Sequence, residues 1–273
     1  LAASRFYVTA TSSGVDAVYR AMLRFNAMWR LDVTLANVTG AMAAVNVAGP
    51  RSRAVVERVI EGCDLAAGAF PYLAVREGRF GAAPVLMARV GFVGELGYEL
   101  HVPADFAEAL WEALLSAGEH EGIRPFGVEA QRLLRLEKGH IIVGQDTDGL
   151  TLPQHAGMDW AVAAGKPFFL GKRAIEVRVR EGLDRRLCAF TLPQGSPVPE
   201  PGHLVLDGDR SSGRVTSAAD SPACGRIIGL AYAHPDQCEP GSELAIRLGD
   251  DTVLRATVVS TPFYDPEGQR QAL

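Results

Sequence analysis

The 273-residue chain has no stretch approaching the roughly 18 consecutive apolar residues that a bilayer-spanning helix needs; runs such as 41–48 and 160–164 are soon broken by Gly, Pro or charge. No membrane span is expected. There is no block of Lys or Arg either. With 27 basic against 32 acidic residues and a formal charge of -5, the chain lacks the counterion-release contribution behind most phosphate-backbone affinity, so nucleic acid is not an expected partner. Cysteine is scarce: Cys63, Cys188, Cys224 and Cys238 are far apart and form no C-x-x-C, which favours reduced, structural thiols in a cytoplasmic protein. The six histidines include no H-x-x-x-H pair and no nearby Cys, so zinc is not expected. An initiating Met and the charged and apolar regions of a signal peptide are missing, so the chain is expected to begin inside a domain.

What is present is an ordinary globular composition, 48% hydrophobic and 22% charged, long enough for one large domain or two of about 100–200 residues each. Residues 6–10 read as a strand. Ser12-Ser-Gly14 then offers a helix start before Val15, Val18, Met22, Phe25 and Trp29, whose three- and four-residue spacing predicts an amphipathic helix with one buried stripe. Residues 32–38 and 42–48 are strand-like, and Gly49-Pro50 opens a helix to about residue 60. Strands at 85–90 and 98–102 flank Gly91-Phe-Val-Gly-Glu-Leu-Gly97, helices follow at 104–117 and 128–137, and Gly139 stops the second. This mixture predicts α+β layer packing. The three spaced glycines lie between two strands rather than before a helix, so they read as a wide hairpin turn and not a dinucleotide fingerprint.

Beyond a helix at 172–180 the pattern changes to short β-rich runs at 186–192, 203–206, 213–217, 227–233, 243–248 and 253–259, divided by Gly, Pro, Asp and Ser. That is the signature of a small antiparallel barrel or sandwich, with a boundary near residue 183.

Candidate chemistry is sparse. Period two places Tyr98, Leu100 and Val102 on one face of a strand and Glu99 with His101 on the other. Glu99 is either a solvated residue on a half-buried strand or a carboxylate facing a cleft, where it can accept two parallel N–H bonds from a planar amidine-like edge such as a pterin's. Arg135 and Lys138 are expected on a solvated helix face. Asp146 and Asp148, in Gly144-Gln-Asp-Thr-Asp-Gly149, begin like a calcium loop but lack its further ligands, and a turn with local side-chain hydrogen bonds is expected instead. His140 and His155 have no adjacent nucleophile and read as structural.

Taken together, residues 6–14, Gly91-Phe-Val-Gly-Glu-Leu-Gly-Tyr-Glu99, Leu134-Arg-Leu-Glu-Lys-Gly139, Gly213-Arg-Val-Thr-Ser217 with Ser221-Pro222, and Pro262-Phe-Tyr-Asp265 resemble successive landmarks of the aminomethyltransferase (glycine cleavage T-protein) superfamily. Residues 129–149 are most similar to the C-terminal half of the α subunit of heterotetrameric sarcosine oxidase. The resemblance implies a folate-binding α+β domain over residues 1–183, lacking its start, followed by a small antiparallel β-barrel over 184–273. It places the family's pterin-anchoring glutamate at Glu99. Phe92 stands where T-proteins carry a tyrosine, keeping the stacking surface without the hydroxyl, and Gln131 stands where they carry an arginine, keeping hydrogen bonding without the charge. His155 replaces an acidic residue. The catalytic aspartate of the family falls upstream of Leu1.

The implied activity is the trapping, on tetrahydrofolate, of the one-carbon unit released when an N-methyl amine is oxidised. This chain would be part of an oxidoreductase complex and inactive alone. FAD, FMN and NAD are expected only in other parts of that complex, and flavin-bearing subunits are the expected partners. The rivals are a free-standing aminomethyltransferase, a folate-binding assembly factor for iron–sulfur proteins, and an interface module that has lost its folate.

Overall fold

The structure is a computed structural model that describes residues 2–273. Its first helix, α1 (Val15–Trp29), follows the predicted span. Its stripe is not buried, however. Val18, Met22 and Trp29 are exposed, and Phe168, which meets Trp29 edge-on at 6.1 Å, is exposed as well. Residues 6–10 and 32–38 are not strands either. Their apolar residues alternate as in a strand, yet no ladder pairs with them, and Phe6, Val8 and Val33 stay exposed.

A four-stranded antiparallel sheet follows, built from β1 (Met42–Ala48), β2 (Val75–Phe80), β3 (Ala83–Ala88) and β4 (Gly97–Pro103) in the order β1-β4-β3-β2. The strand β2 escaped sequence reading because Val-Arg-Glu-Gly-Arg-Phe is an edge strand with two arginines and a glutamate, so it carries little apolar alternation. Two helices, α2 (Ser52–Val59) and α3 (Ala107–Ala117), cover one face of the sheet. Val55 and Val56 of α2 and Leu110 and Leu114 of α3 pack against Val47, Met87, Tyr98 and Leu100. Each such apolar side chain contributes roughly 1.5–3 kcal/mol when fully buried.

The next helix, α4 (Val128–Glu137), matches the predicted span, and Gly139 ends it with φ +74, a left-handed conformation that a side chain there would strain. After α5 (Lys172–Glu181), six strands close into a barrel: β5 (Arg186–Leu192), β6 (Leu204–Asp207), β7 (Arg210–Ser221), β8 (Arg226–Ala233), β9 (Glu243–Arg247) and β10 (Val253–Val259). The order β10-β5-β8-β7-β6-β9 leaves no free edge. Phe190, Val205, Ile227, Leu244, Ile246 and Val258 fill its interior. A short helix, α6 (Gln269–Ala272), follows.

Leu136 of α4 packs against Ala189, Ile228 and Leu230 on the outside of the barrel, which brings the neighbouring polar residues under cover as well. Arg135 and Lys138 therefore do not lie on a solvated face. Arg135 is 1% exposed and bonded to Asp146 at 2.6 Å, while Lys138 is buried and donates to the Asp265 carboxylate at 3.2 Å. Asp146 lies 11 positions from Arg135 and Asp265 lies 127 from Lys138, both outside α4.

Candidate functional site

The site begins with the period-two geometry of β4. Tyr98, Leu100 and Val102 point into the core with no exposed surface, so Glu99 and His101 must emerge on the opposite face, away from α2 and α3. In the ladder Glu99 sits opposite Asn46 of β1 and Ala88 of β3, and His101 sits opposite Ala44 and Leu86. Small neighbours leave the Glu99 side chain 39% exposed. Across this face the Tyr7 hydroxyl lies 3.4 Å from His101 Nδ1, with the two rings edge-on at 5.4 Å. His101 Nε2 in turn lies 3.6 Å from Glu99 Oε2.

β1 is the edge strand on this side. Gly49 donates to Leu96 and Ala104 donates to Ala41, so odd-numbered residues of this stretch pair with β4 and the even-numbered ones turn their main-chain groups outward. Along this edge runs a cavity of about 620 Å³, lined by Asn46, Ala48, Trp111, Arg124, Phe126 and Gln131 among others. Asn46 thus links Glu99, its cross-strand partner, to the cavity that Gln131 lines from the start of α4. Arg51 and Arg124 add positive charge to the lining, and the Glu121 side chain lies 3.9 Å from Arg51.

Phe92 is placed differently. It sits in the turn between β3 and β4, where its carbonyl accepts a hydrogen bond from His140 Nδ1 at 2.8 Å and its ring stacks on the imidazole at 5.9 Å. The burial that comes with this packing lowers the pKa of His140 below its usual value, so the ring is neutral at pH 7. The glycines of this turn allow close main-chain approach: a Cβ on Gly91 would lie 2.4 Å from the Glu95 carbonyl oxygen. The wide hairpin turn read from the sequence is therefore present.

Residues 144–149 form a turn held by side chains, as expected, with Gly144 donating to the Thr147 hydroxyl. Asp148 accepts from the Leu150 amide and the Thr151 hydroxyl, and these bonds, with Arg214 and Arg185 nearby, hold its pKa down at about 2. Asp146 is a deeper element than a local turn residue: it bonds Arg135, Thr216 and Ser217, tying α4 to β7. His155 accepts from the Leu152 amide at 3.1 Å and approaches Asp184 at 3.3 Å, a structural role. Sequence reasoning did not single out Tyr7, Asn46 or Arg124. The alternation of β4 did put His101 beside Glu99, but nothing local indicated that Tyr7 would reach it from 94 positions away.

Residues 1–166 match the family model of the GCVT N-terminal domain, and residues 185–265 match that of the glycine cleavage T-protein C-terminal barrel domain. The chain belongs to the glycine cleavage T-protein family. The sarcosine oxidase α subunit of Corynebacterium sp. (strain P-1) is 36% identical over 285 residues, covering 99% of this chain and 29% of that protein. The aminomethyltransferase of Halothermothrix orenii is 33% identical, covering 96% of this chain and 71% of its own length. The chain thus spans less than a third of the sarcosine oxidase subunits it matches. In fold, it superposes on the crystal structure of the glycine cleavage system aminomethyltransferase T from Bartonella henselae with a TM-score of 0.78, over 93% of this chain and 67% of that one, at 22% identity. That T-protein-like fold has the closed six-stranded barrel in its C-terminal part. No helix among the described residues is long and apolar enough to cross a membrane.

Proposed function

We propose that this chain binds tetrahydrofolate and presents it to a formaldehyde-level carbon released by oxidation of an N-methyl amine, giving 5,10-methylenetetrahydrofolate. The observation that carries this reading is the half-exposed Glu99 carboxylate on the sheet face away from α2 and α3, one strand away from a cavity of about 620 Å³. That volume falls within the roughly 300–1,000 Å³ of small-molecule sites. Glu99 would take the planar, donor-rich edge of the pterin as a two-point acceptor. Trp111 and Phe126 supply aromatic surface for the remainder, and Gln131 with Arg124 supplies polar groups for a carboxylate-bearing tail.

Tetrahydrofolate, when bound, would supply two amine nitrogens for the carbon, whose oxygen would leave as water with the two N–H protons. The chain's own contribution is to bind and orient it. Holding the amine beside a confined electrophile raises the effective concentration and keeps water away, so positioning supplies the benefit without a strong acid or base from this chain. Phe92 serves this site by stacking on His140 and shaping the turn that leads into β4, rather than by lying in the cavity.

The relatives named as one subunit of a sarcosine oxidase support a place in a multi-subunit oxidase; to that the proposal adds flavin-bearing partner subunits that carry the oxidation and a cytoplasmic location. The same reading divides the chain into a folate-binding portion, 1–183, and a barrel, 184–273. A free-standing aminomethyltransferase is the second reading, favoured by the relative from Halothermothrix orenii. Purification of the natural full-length protein separates them: co-purifying flavin subunits support the first, and a lone protein active on an aminomethyl carrier supports the second. The folate assignment is tested by calorimetric titration of tetrahydrofolate into the wild type and Glu99→Gln. Weakening by about 1.5–3 kcal/mol is expected for loss of a charged hydrogen-bond acceptor, and equal affinities would sink it.

A further inference from the structure

We propose that His101 is a positioning residue for Glu99, and that Tyr7 sets the tautomer in which it acts. The inference rests on the folate reading for its ligand, and on the arrangement of three side chains for its geometry. His101 is 7% exposed, so its ring is confined between Tyr7 and the sheet. The two ring nitrogens are chemically distinct, and the partner of one decides the protonation of the other. The Tyr7 hydroxyl stands 3.4 Å from Nδ1; donating there, it leaves the proton on Nε2. Nε2 is the nitrogen that faces Glu99 Oε2, 3.6 Å away.

This arrangement gives Glu99 one fixed neighbour. At 3.6 Å the contact draws Glu99 toward the ring without being a formed hydrogen bond; an Nε2–H brought onto Oε2 would use one of its lone pairs and leave Oε1 and the second lone pair of Oε2 for an incoming pair of donors. Without that neighbour a half-exposed glutamate on two methylene groups samples several rotamers, and ligand binding must order it. The cross-strand residues at this level, Asn46 and Ala88 beside Glu99 and Ala44 and Leu86 beside His101, include no second charged group that could take over the role.

The test uses the natural full-length protein and calorimetric titration with tetrahydrofolate. His101→Leu is expected to weaken binding about three- to ten-fold, the scale of one hydrogen bond, and to have no further effect in a Glu99→Gln background. His101→Gln, whose amide can present an N–H where Nε2 stands, is expected to restore most of the loss, and Tyr7→Phe to cause a smaller one. Equal weakening by His101→Leu in both backgrounds, or no rescue by Gln, assigns a merely structural role and overturns the proposal. If Glu99→Gln itself leaves affinity unchanged, the folate reading fails, and crystal structures decide the positioning role separately. Nε2 within hydrogen-bond reach of Glu99 in the wild type and withdrawn in Tyr7→Phe supports it; Nε2 turned away from Glu99 in the wild type overturns it. Should His101→Leu fail to fold, Tyr7→Phe alone carries the same comparison.

Discussion

Arg135 and Asp146 form an ion pair at 2.6 Å with side chains 1% and 0% exposed, and this pair joins α4 to the barrel. Asp146 also accepts from Thr216 and Ser217 at 2.6 Å each and from the Ile142 amide, while Arg135 donates to Ser217 and to the His140 carbonyl. Two charges removed from water are tolerated here because Asp146 accepts four hydrogen bonds and Arg135 donates three of its five N–H protons. Arg135 Nε is buried without a partner.

Removing one partner is expected to destabilise more than removing both. Asp146→Ala should cost about 3–5 kcal/mol because it leaves the guanidinium buried and uncompensated. The double variant Arg135→Met with Asp146→Leu should cost less than that single change. Urea denaturation of the three proteins checks the order.

The acid limb of stability should carry the signature of Asp148. Its carboxyl is held at about 2 against an ordinary value of 3.8, chiefly by the Thr151 hydroxyl and the Leu150 amide. A depressed folded-state pKa gives stability that is present above pH 4 and is lost as the pH falls toward 2. The group is largely solvated, so the effect is modest. Thermal midpoints between pH 2 and pH 5 should fall less steeply in Asp148→Asn than in the wild type.

His140 acts in a higher window. Burial against Phe92 lowers its pKa from 6.5, so the folded state holds a proton more weakly than the unfolded chain does. Stability is therefore complete above pH 6.5 and declines as the pH drops below it. His140→Asn should lower stability at pH 7 and flatten the decline between pH 7 and pH 5, read from thermal midpoints.

The turn before β4 should be intolerant of side chains. Gly91→Ala would force a methyl group to within 2.4 Å of the Glu95 carbonyl oxygen. The strain expected is about 1–3 kcal/mol. Because the turn leads directly into the strand that carries Glu99, tetrahydrofolate affinity should fall along with the denaturation midpoint.

Within the proposed binding surface the two polar candidates should be unequal. Glu99 is the charged acceptor, whereas Gln131 is a neutral, exposed residue on the cavity wall. Gln131→Ala should therefore cost about 0.5–1.5 kcal/mol of tetrahydrofolate affinity, less than Glu99→Gln. Calorimetry on both variants tests the order, and a larger loss for Gln131→Ala would move the anchor to the cavity.

Much of this architecture was legible in the chain itself. The spans of α4, β1 and β10 follow from periodicity and from Gly and Pro punctuation, because these signals are local and act within a few residues. The alternation of β4 likewise determined that Glu99 and His101 would share a face once Tyr98 and Leu100 were buried. Ladder formation, by contrast, needs a neighbour. Residues 6–10 and 32–38 have strand-like alternation without one, while the charged β2 becomes a strand because β3 pairs along its whole length. The burial of Arg135 depended on Asp146 and on Ser217, 11 and 82 positions away, and the Tyr7–His101–Glu99 arrangement on a contact spanning 94. Local sequence determined which residues could face one another across a strand or along a helix. Only tertiary packing decided which charges would be enclosed and which carboxylate would stand half-exposed one strand from a cavity, because desolvation depends on what the rest of the chain brings alongside.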